Sequence, residues 1–574
     1  MANLKKNIDK GIAYMKKNGA GAAVKRLYRK ILLSRPVDYE TWLQGQRKAR
    51  ERYLSKRPEE EKNCGAKLEQ SIRILTLGEN GEYTERDPEV AGRYSKAVGK
   101  SLWDAGDHEY LLLVEEGAVL EHDAKKVYAD AIENHPKADL FYCDSDRLSS
   151  DGKHFAQPQC KPDFDPYYLQ STDYIGGGFL LSGRLAKKMG SPEGLYDCLL
   201  RAADLAEEVV HVPQFLYHQP CDISDMRDGQ KTHACCSDTG IAQEMHACCS
   251  DTGIAQEMLA CCSDTEEALE AHFRRRGVLA QVEKGMQPYT RRITYIYGDE
   301  PLVSIIIPNK DHKEDLEKCI DSIRRFGGYS QYEIIIVENN STSREIMEYY
   351  EKLEKHGDVK VTVYKGEFNY SKINNFALGC ARGEYLLFLN NDTEMITEGC
   401  IHELVNYARQ EDVGAVGALL LYGDDTIQHA GVVLGYGGIA GHAFEGMPLE
   451  QAKKILPVIS ARSYSAVTAA CMMVRRSLFE KLGGFDEALG VAYNDIDLCL
   501  RIGEAKKKVI YTPYACLRHY ESKTRGLELT DEKAERIRKE TEIFQDRWEK
   551  ILRDGDPHYN PNLTLEKPDF SLKV

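Results

Sequence analysis

Nothing in this chain is apolar for long enough to cross a bilayer, which excludes an ordinary helical membrane span. Its basic N-terminus has no continuous apolar stretch before a small-residue cleavage site, so no secretory signal is expected. Two phosphate-binding fingerprints are missing as well. No G-x-G-x-x-G follows the first strand of the second half and no G-x-x-x-x-G-K-[ST] occurs anywhere, which leaves a dinucleotide fold or a P-loop without support. Positive charge is in deficit, 76 Lys or Arg against 91 Asp or Glu, and so acidic a body argues against a nucleic-acid partner. Cysteine is plentiful at 17, but scattered or clumped in a repeat, as expected of reduced thiols in a cytosol.

The basic residues that do occur are concentrated at the start. Between Met1 and Arg57 stand 16 Lys or Arg against 4 Asp or Glu. Within it Ile12, Met15, Val24, Leu27, Tyr28 and Ile31 recur at helical spacing with cations between them. Such a helix either lies on an anionic membrane surface or packs on its own protein with its basic face in water. Residues 1–58 are therefore expected to be a basic helical leader. The first alternative would make the protein cytoplasmic and peripheral on the inner face of the membrane.

Beyond the leader, strand and helix patterns alternate. Ser71 to Leu77, Tyr110 to Val114 and Asp139 to Cys143 read as strands, Val90 to Asp104 and Ala124 to Asn134 as helices, giving an α/β unit over 59–232. His233 to Met245 (HACCSDTGIAQEM) then recurs without change at His246 to Met258, and a partial third copy starts at Leu259. Identity so complete points to local duplication and an expanded surface loop over 233–265. Its adjacent cysteines lack the C-x₂₋₄-C spacing of a structural zinc site. A helix to Arg276, opened by the capping box Ser263 to Glu266, and a connector from Tyr289 occupy 266–300. From 301 the strands Leu302 to Ile307, Tyr332 to Val337, Val359 to Tyr364 and Tyr385 to Leu389 alternate with three helices. That is a doubly wound parallel sheet.

Chemistry is expected outside the carboxyl ends of such strands. Tyr385-Leu-Leu-Phe-Leu389 stops on Asn390, Asn391 and Asp392, where a hard carboxylate oxygen suits Mg²⁺ or Mn²⁺. The first two strands end on Pro308-Asn309-Lys310-Asp311 and on Glu338. Later, Asp495 and Asp497 stand two apart at the start of an apolar helix, and a strand-like stretch ends at His519. Taken singly, each acid could be a helix cap or dipole partner, and His519 a surface residue.

Together they carry a resemblance. VSIIIPNKD (Val303 to Asp311), IIIVENNS (Ile334 to Ser341), FNYSKINNFALGCARGEYLLFLNNDTEMI (Phe368 to Ile396), IQHAGVVLGYGGIAGHAF (Ile427 to Phe444), TAACMMVRRSLFEKLGGFDE (Thr468 to Glu487), YNDIDLCLR (Tyr493 to Arg501) and RHYESKTRG (Arg518 to Gly526) resemble, in order and spacing, family 2 glycosyltransferases of the GT-A fold. The likeness is strongest to the rhamnosyltransferase-like subfamily that builds bacterial O-antigen and capsule chains. It implies an inverting transfer of sugar from a nucleoside diphosphate (UDP or dTDP) to a lipid-linked oligosaccharide or polysaccharide, with Mg²⁺ or Mn²⁺ as cofactor. By position, Pro308, Asn309, Asp311, Glu338, Asn374, Asn375, Arg382, Asn390 and Asn391 would border the nucleotide, with Asp392 and His519 as metal ligands. Asp495 would be the general base, supported by Asp497. Gln428, His429, Gly441, His442, Ala469, Ala470 and Cys471 would line the acceptor pocket. The family usually has Asp where this chain has Glu338, and the D-x-D-type motif is reduced here to Asn390-Asn391-Asp392.

A similar order appears once before: Tyr110 to Ala118, then Phe141 to Asp146, then Tyr196 to Arg201. There the metal-motif acids have become Glu115, Glu116, Gly117 and Ala118, and the base position falls on Leu195. The expected fold class is thus α/β, two GT-A-type domains in tandem with the first degenerate. A catalytic domain spans 301–526, and a C-terminal helix and tail span 527–574. Three alternatives stand beside it: a divergent first site using Asp144 or Asp146, a non-catalytic glycan-binding scaffold, and a glycoside hydrolase with paired carboxylates.

Overall fold

The computed structural model describes residues 38–77, 83–85, 105–221, 265–520 and 531–573. The leader helix over Ile8 to Leu33, the helix Val90 to Asp104, the 13-residue repeats and the end of the last motif lie outside the described residues.

The first sheet is built from β1 (Ile72–Leu77), β2 (Tyr83–Glu85), β3 (Tyr110–Glu115), β4 (Val119–Leu120), β5 (Leu140–Ser149), β6 (Phe155–Gln159), β7 (Phe179–Ser182) and β8 (Val209–Cys221). Their order is β2-β1-β3-β7-β5-β8-β4, with β6 on β5. A hairpin of β9 (Ala280–Lys284) and β10 (Arg291–Tyr295) leads to the second half. There follow β11 (Val303–Asn309), β12 (Tyr332–Glu338), β13 (Val359–Val363), β14 (Tyr385–Leu389), β15 (Thr393–Met395), β16 (Val413–Leu421), β17 (Ile427–His429), β18 (Val432–Leu434), β19 (Ala440–His442), β20 (Arg462–Ser463), β21 (Cys471–Arg475) and β22 (Lys508–His519). The second sheet runs β13-β12-β11-β14-β21-β16-β22-β15, while β18 and β19 form a separate ribbon.

Strands β13, β12, β11 and β14 are mutually parallel, β21 turns antiparallel against β14, and β16 and β22 pair parallel beyond it. The four strands read as a parallel sheet are parallel, and the sheet continues past β14 with mixed strand directions. Strands β11 and β12 centre on Ile-Ile-Ile runs buried on both faces, which a sheet covered on both sides accommodates. All five residues of β14 are buried, at roughly 2 kcal/mol for each large apolar side chain. Two other expectations change. The connector from Tyr289 carries β10, latched to the helix Cys400–Ala408 by Tyr295 N donating to Asn406 Oδ1 at 2.7 Å. Strand β5 runs on through Asp144 to Ser149 because those polar side chains are buried with partners, which a hydrophobic-run argument cannot see.

The two sheets repeat one plan. Parallel β1–β3, antiparallel β3–β7 and β7–β5, parallel β5–β8 and antiparallel β8–β4 recur as β11–β14, β14–β21, β21–β16, β16–β22 and β22–β15. The same anchor recurs too. Arg201 Nε lies 2.8 Å from Asp197 Oδ2 and Arg501 Nε 2.8 Å from Asp497 Oδ2. A later helix adds a second guanidinium to each acid, Arg275 at 2.9 Å and Arg547 at 2.6 Å. Where the second sheet has β12 and β13, the first, among the described residues, has the short antiparallel β2.

The helix Tyr39–Ser55 belongs to this first unit and not to a separate leader. Tyr39, Leu43 and Leu54 are buried, Arg50 binds Asp123 with both nitrogens at 2.8 Å, and Arg57 pairs with Asp130 at 2.7 Å. Those cations are neutralised within the protein, so this part of the basic stretch offers little to a membrane.

Candidate active site

Strand β14 ends at Asn390, whose N–H makes a last bond toward β21 by donating to Ala470 O at 3.0 Å before Thr393 N closes a turn on Asn390 O at 3.3 Å. That turn sets Asp392 beside the end of β22, whose His519 pairs in register with Thr393. His519 Nε2 lies 3.2 Å from Asp392 Oδ1 and 3.2 Å from Asn390 Nδ2. Its other nitrogen, Nδ1, is 2.7 Å from Gln428 Oε1. With Nδ1–H donated to that oxygen, Nε2 carries the lone pair and faces a carboxylate oxygen. Two acceptors meeting this closely, one nitrogen and one oxygen, fit a divalent cation of the Mn²⁺ or Mg²⁺ kind.

On the other side of the β14 end sits Asp495, half-exposed in the first turn of the helix Asn494–Glu504. Its Oδ1 accepts from Ile496 N at 2.9 Å and its Oδ2 from Ala469 N at 3.1 Å. Ala469 and Ala470 therefore tie Asp495 to Asn390 through consecutive main-chain groups, and the two acids stand on either side of the β14 end, where a substrate cleft is expected. Tyr493, with φ at 62°, turns the chain sharply into that helix.

At the ends of β11 and β12 the polar side chains hold one another. Asn391 Nδ2 donates to Asn309 Oδ1 at 2.6 Å, Asn309 Nδ2 to Tyr350 Oη at 2.7 Å, and Tyr350 Oη to Glu338 Oε2 at 2.6 Å. Asp311, in left-handed backbone at φ 54°, accepts from Thr342 N and Ser343 N at 2.9 Å each. Burial pulls its pKa upward, but those N–H donors outweigh it and leave the carboxyl below its ordinary value. Pro308 and Asp311 are half-buried beside the cleft. Tyr350 and Ser341, which sequence reasoning missed, hold Glu338; a Tyr on the buried face of an amphipathic helix gives no signal of such a role.

Several expected contacts are corrected. Glu338 is buried, and Ser341 and Tyr350 consume its oxygens, so it stiffens the loop instead of facing a ligand. Arg382 lies before β14, at the far end from the cleft, where it binds Glu333 at 2.8 Å. Asn375 spends its amide on the main chain of Phe485, donating to O at 2.9 Å and accepting from N at 3.0 Å. Asn374 is fully buried and bonds back to Tyr370 O. Asp497 points away from the cleft to Arg501, Arg547 and the Trp548 indole. Gln428, His429 and Cys471 are at most 1% exposed and present almost no surface to an acceptor. Burial, with His442 and His519 nearby, pushes His429 well below the usual imidazole range, and burial drives the Cys471 thiol well up. Gly441 and His442 remain half-buried, and Ala469 and Ala470 present main chain.

In the first unit, the positions matching Asn390 and His519 are Glu115 and Gln219, 3.2 Å apart, and Gly117 stands where Asp392 would be. Asp144 and Asp146 are buried and taken, by Asn560 and His211 in one case and by Tyr39 and His218 in the other.

By architecture and site, then, the chain is an α/β protein that gathers Asp392, His519 and Asp495 at the carboxyl end of a central parallel strand. The family follows from sequence: residues 304–483 match the model for glycosyl transferase family 2, and the chain carries a domain of that family. Over 508 residues it is 33% identical to the uncharacterized protein y4gI of Sinorhizobium fredii, covering 85% of this chain and 53% of that one. It is 32% identical to the O-antigen biosynthesis protein RfbC of Myxococcus xanthus, over 88% of this chain and 37% of that protein. The chain thus spans about half or less of these relatives' lengths. Among solved structures, GalNAc-T7 with UDP, GalNAc and Mn²⁺ is similar at a TM-score of 0.37 and 14% identity, over 47% of this chain and 52% of that one.

Proposed function

We propose that the protein is an inverting glycosyltransferase, moving a sugar from a UDP- or dTDP-linked donor to a hydroxyl of a growing, lipid-linked bacterial surface polysaccharide. The observation that carries this reading is the pairing of Asp392 and His519 on one side of the β14 end with Asp495 on the other, joined through Ala469 and Ala470. Likeness to an O-antigen biosynthesis protein supports the polysaccharide setting.

Pro308, Asp311 and Asn391 would border the nucleotide, with Asn309 fixing Asn391. Asp392 and His519 would hold a divalent cation, which when bound supplies Lewis-acid stabilisation of a departing diphosphate. Asp495 takes the proton from the acceptor hydroxyl as its oxygen attacks the anomeric carbon. The bond from that carbon to the diphosphate oxygen breaks, the diphosphate leaves with the electron pair, and attack from the opposite face inverts the centre. General base catalysis of this kind contributes about 10²–10⁴-fold. Gly441, His442 and the main chain of Ala469 and Ala470 would wall the acceptor side. The first domain would be inactive toward nucleotide sugars, since its metal position is Gly117. Among the described residues no helix is long and apolar enough to cross a membrane. Residues 1–37, with ten Lys or Arg against one Asp, would supply any attraction to an anionic inner face.

The test is a panel of UDP- and dTDP-sugars titrated into the full chain with Mn²⁺, read by calorimetry and by release of nucleoside diphosphate. One donor should bind and turn over only with the metal. Binding of free glycans with no donor bound or hydrolysed would favour the scaffold alternative.

A further inference from the structure

We propose that Gln428 is a positioning residue for His519, a role that rests on the metal site proposed above and replaces the acceptor contact expected from sequence. Its side chain is 1% exposed, so it has no surface to offer a sugar. The local strand pairing explains why it points inward. Strand β17 pairs with β16 through Ile427 to Leu421 and His429 to Leu420, so Gln428 is an extra residue between two consecutive partners. Such a bulge re-aims one side chain and takes its main chain out of the ladder. Both consequences are visible. The Gln428 carbonyl, released from strand pairing, accepts from His442 Nδ1 at 2.8 Å. The side-chain oxygen reaches His519 Nδ1 at 2.7 Å.

That second bond decides what the metal-facing nitrogen can do. An imidazole whose Nδ1–H is held by an acceptor keeps its proton there and turns the Nε2 lone pair outward, toward Asp392 Oδ1 at 3.2 Å. Asn390 Nδ2 donating to the same Nε2 is consistent with that tautomer. The β18–β19 ribbon enters through His442, which also packs edge-on against His429 with ring centroids 4.7 Å apart. A chain of contacts therefore runs from the half-buried His442 through Gln428 to His519, linking the acceptor side of the cleft to its metal side.

Losing an outer partner of a ligating histidine typically weakens metal binding about 10–100-fold. The experiment is Mn²⁺ titration of the full chain, followed by electron paramagnetic resonance, for wild type, Gln428→Leu, Gln428→Glu and Asp392→Asn. Gln428→Leu should bind Mn²⁺ about 10–100-fold more weakly. Gln428→Glu, which keeps an acceptor oxygen at the same reach, should restore wild-type affinity; a purely structural role would not be rescued this way. If Gln428→Leu shows no cooperative melt, Gln428→Asn, which withdraws the oxygen by one methylene, replaces it with the same expected loss. Wild-type affinity in Gln428→Leu or Gln428→Asn overturns the proposal. Wild-type affinity in Asp392→Asn instead overturns the metal site itself, whatever the Gln428 variants do.

Discussion

Asp495 and Asp497 stand two residues apart on one helix and face opposite directions. Asp495 is half-exposed, each oxygen accepting from one main-chain N–H, whereas Asp497 is fully buried among Arg501, Arg547 and the Trp548 indole. A carboxylate so placed serves the fold, since removing it strands two guanidiniums. Asp497→Ala is expected to cost about 3 kcal/mol, seen as a lower melting midpoint, while donor affinity stays at the wild-type value. The acids at 392 and 495 were legible in sequence because each follows or opens a strongly apolar element. The direction of Asp497 was not, because helix phase names a face but not its neighbour, and the neighbour here comes from 50 residues downstream. Arg382 and Asn375 misled for the same reason: their partners Glu333 and Phe485 lie on other elements.

At the level of elements, the parallel half was readable from its short, strongly apolar runs. The antiparallel half was harder, since β16 to β22 owe their order to pairings across long stretches of chain. Helix Tyr39–Ser55 shows how polar contacts decide where a charged element goes. It sits where buried His218 touches Asp146 through Nδ1 and lies 2.9 Å from Glu121 through Nε2, with Tyr39 donating to Asp146 and Arg47 pairing with Glu121. Burial opposes charge on His218, but Asp146 and Glu121 outweigh it and push the pKa up to about 9. The folded state therefore holds this proton more tightly than the unfolded chain does. Its stabilisation is fully present below about pH 6.5 and is lost as pH rises through about 9. Melting of the full chain should accordingly weaken between pH 6.5 and 9, and His218→Gln should flatten that dependence. An unchanged slope in the variant would place the titration elsewhere.

At the scale of the molecule, one short tail joins the two domains. Asp556 accepts from Leu434 N at 2.8 Å and Ser465 Oγ at 2.7 Å in the second domain. A few residues on, Asn560 Nδ2 donates to both oxygens of Asp144 at 2.9 Å, and Asn562 Nδ2 to one of them at 3.0 Å, in the first. Phe570 stacks on Phe444 with centroids 4.5 Å apart. Direct contacts between the domains add Ser463 Oγ to Asp165 at 3.0 Å. Deleting the chain from Asp556 onward should split calorimetric unfolding into two transitions where the intact chain gives one. The repeated strand plan makes the divergence between the halves plain. Both keep the Asp–Arg anchor, but the second has Asp392 and Asp495 where the first has Gly117 and Leu195. The most direct test of that contrast is nucleoside diphosphate release by Asp495→Asn in the full chain, with the donor identified by the panel and saturating Mn²⁺. A fall of about 10²–10⁴-fold with donor and Mn²⁺ affinities unchanged is the predicted result. A variant that releases the diphosphate at the wild-type rate would contradict the account.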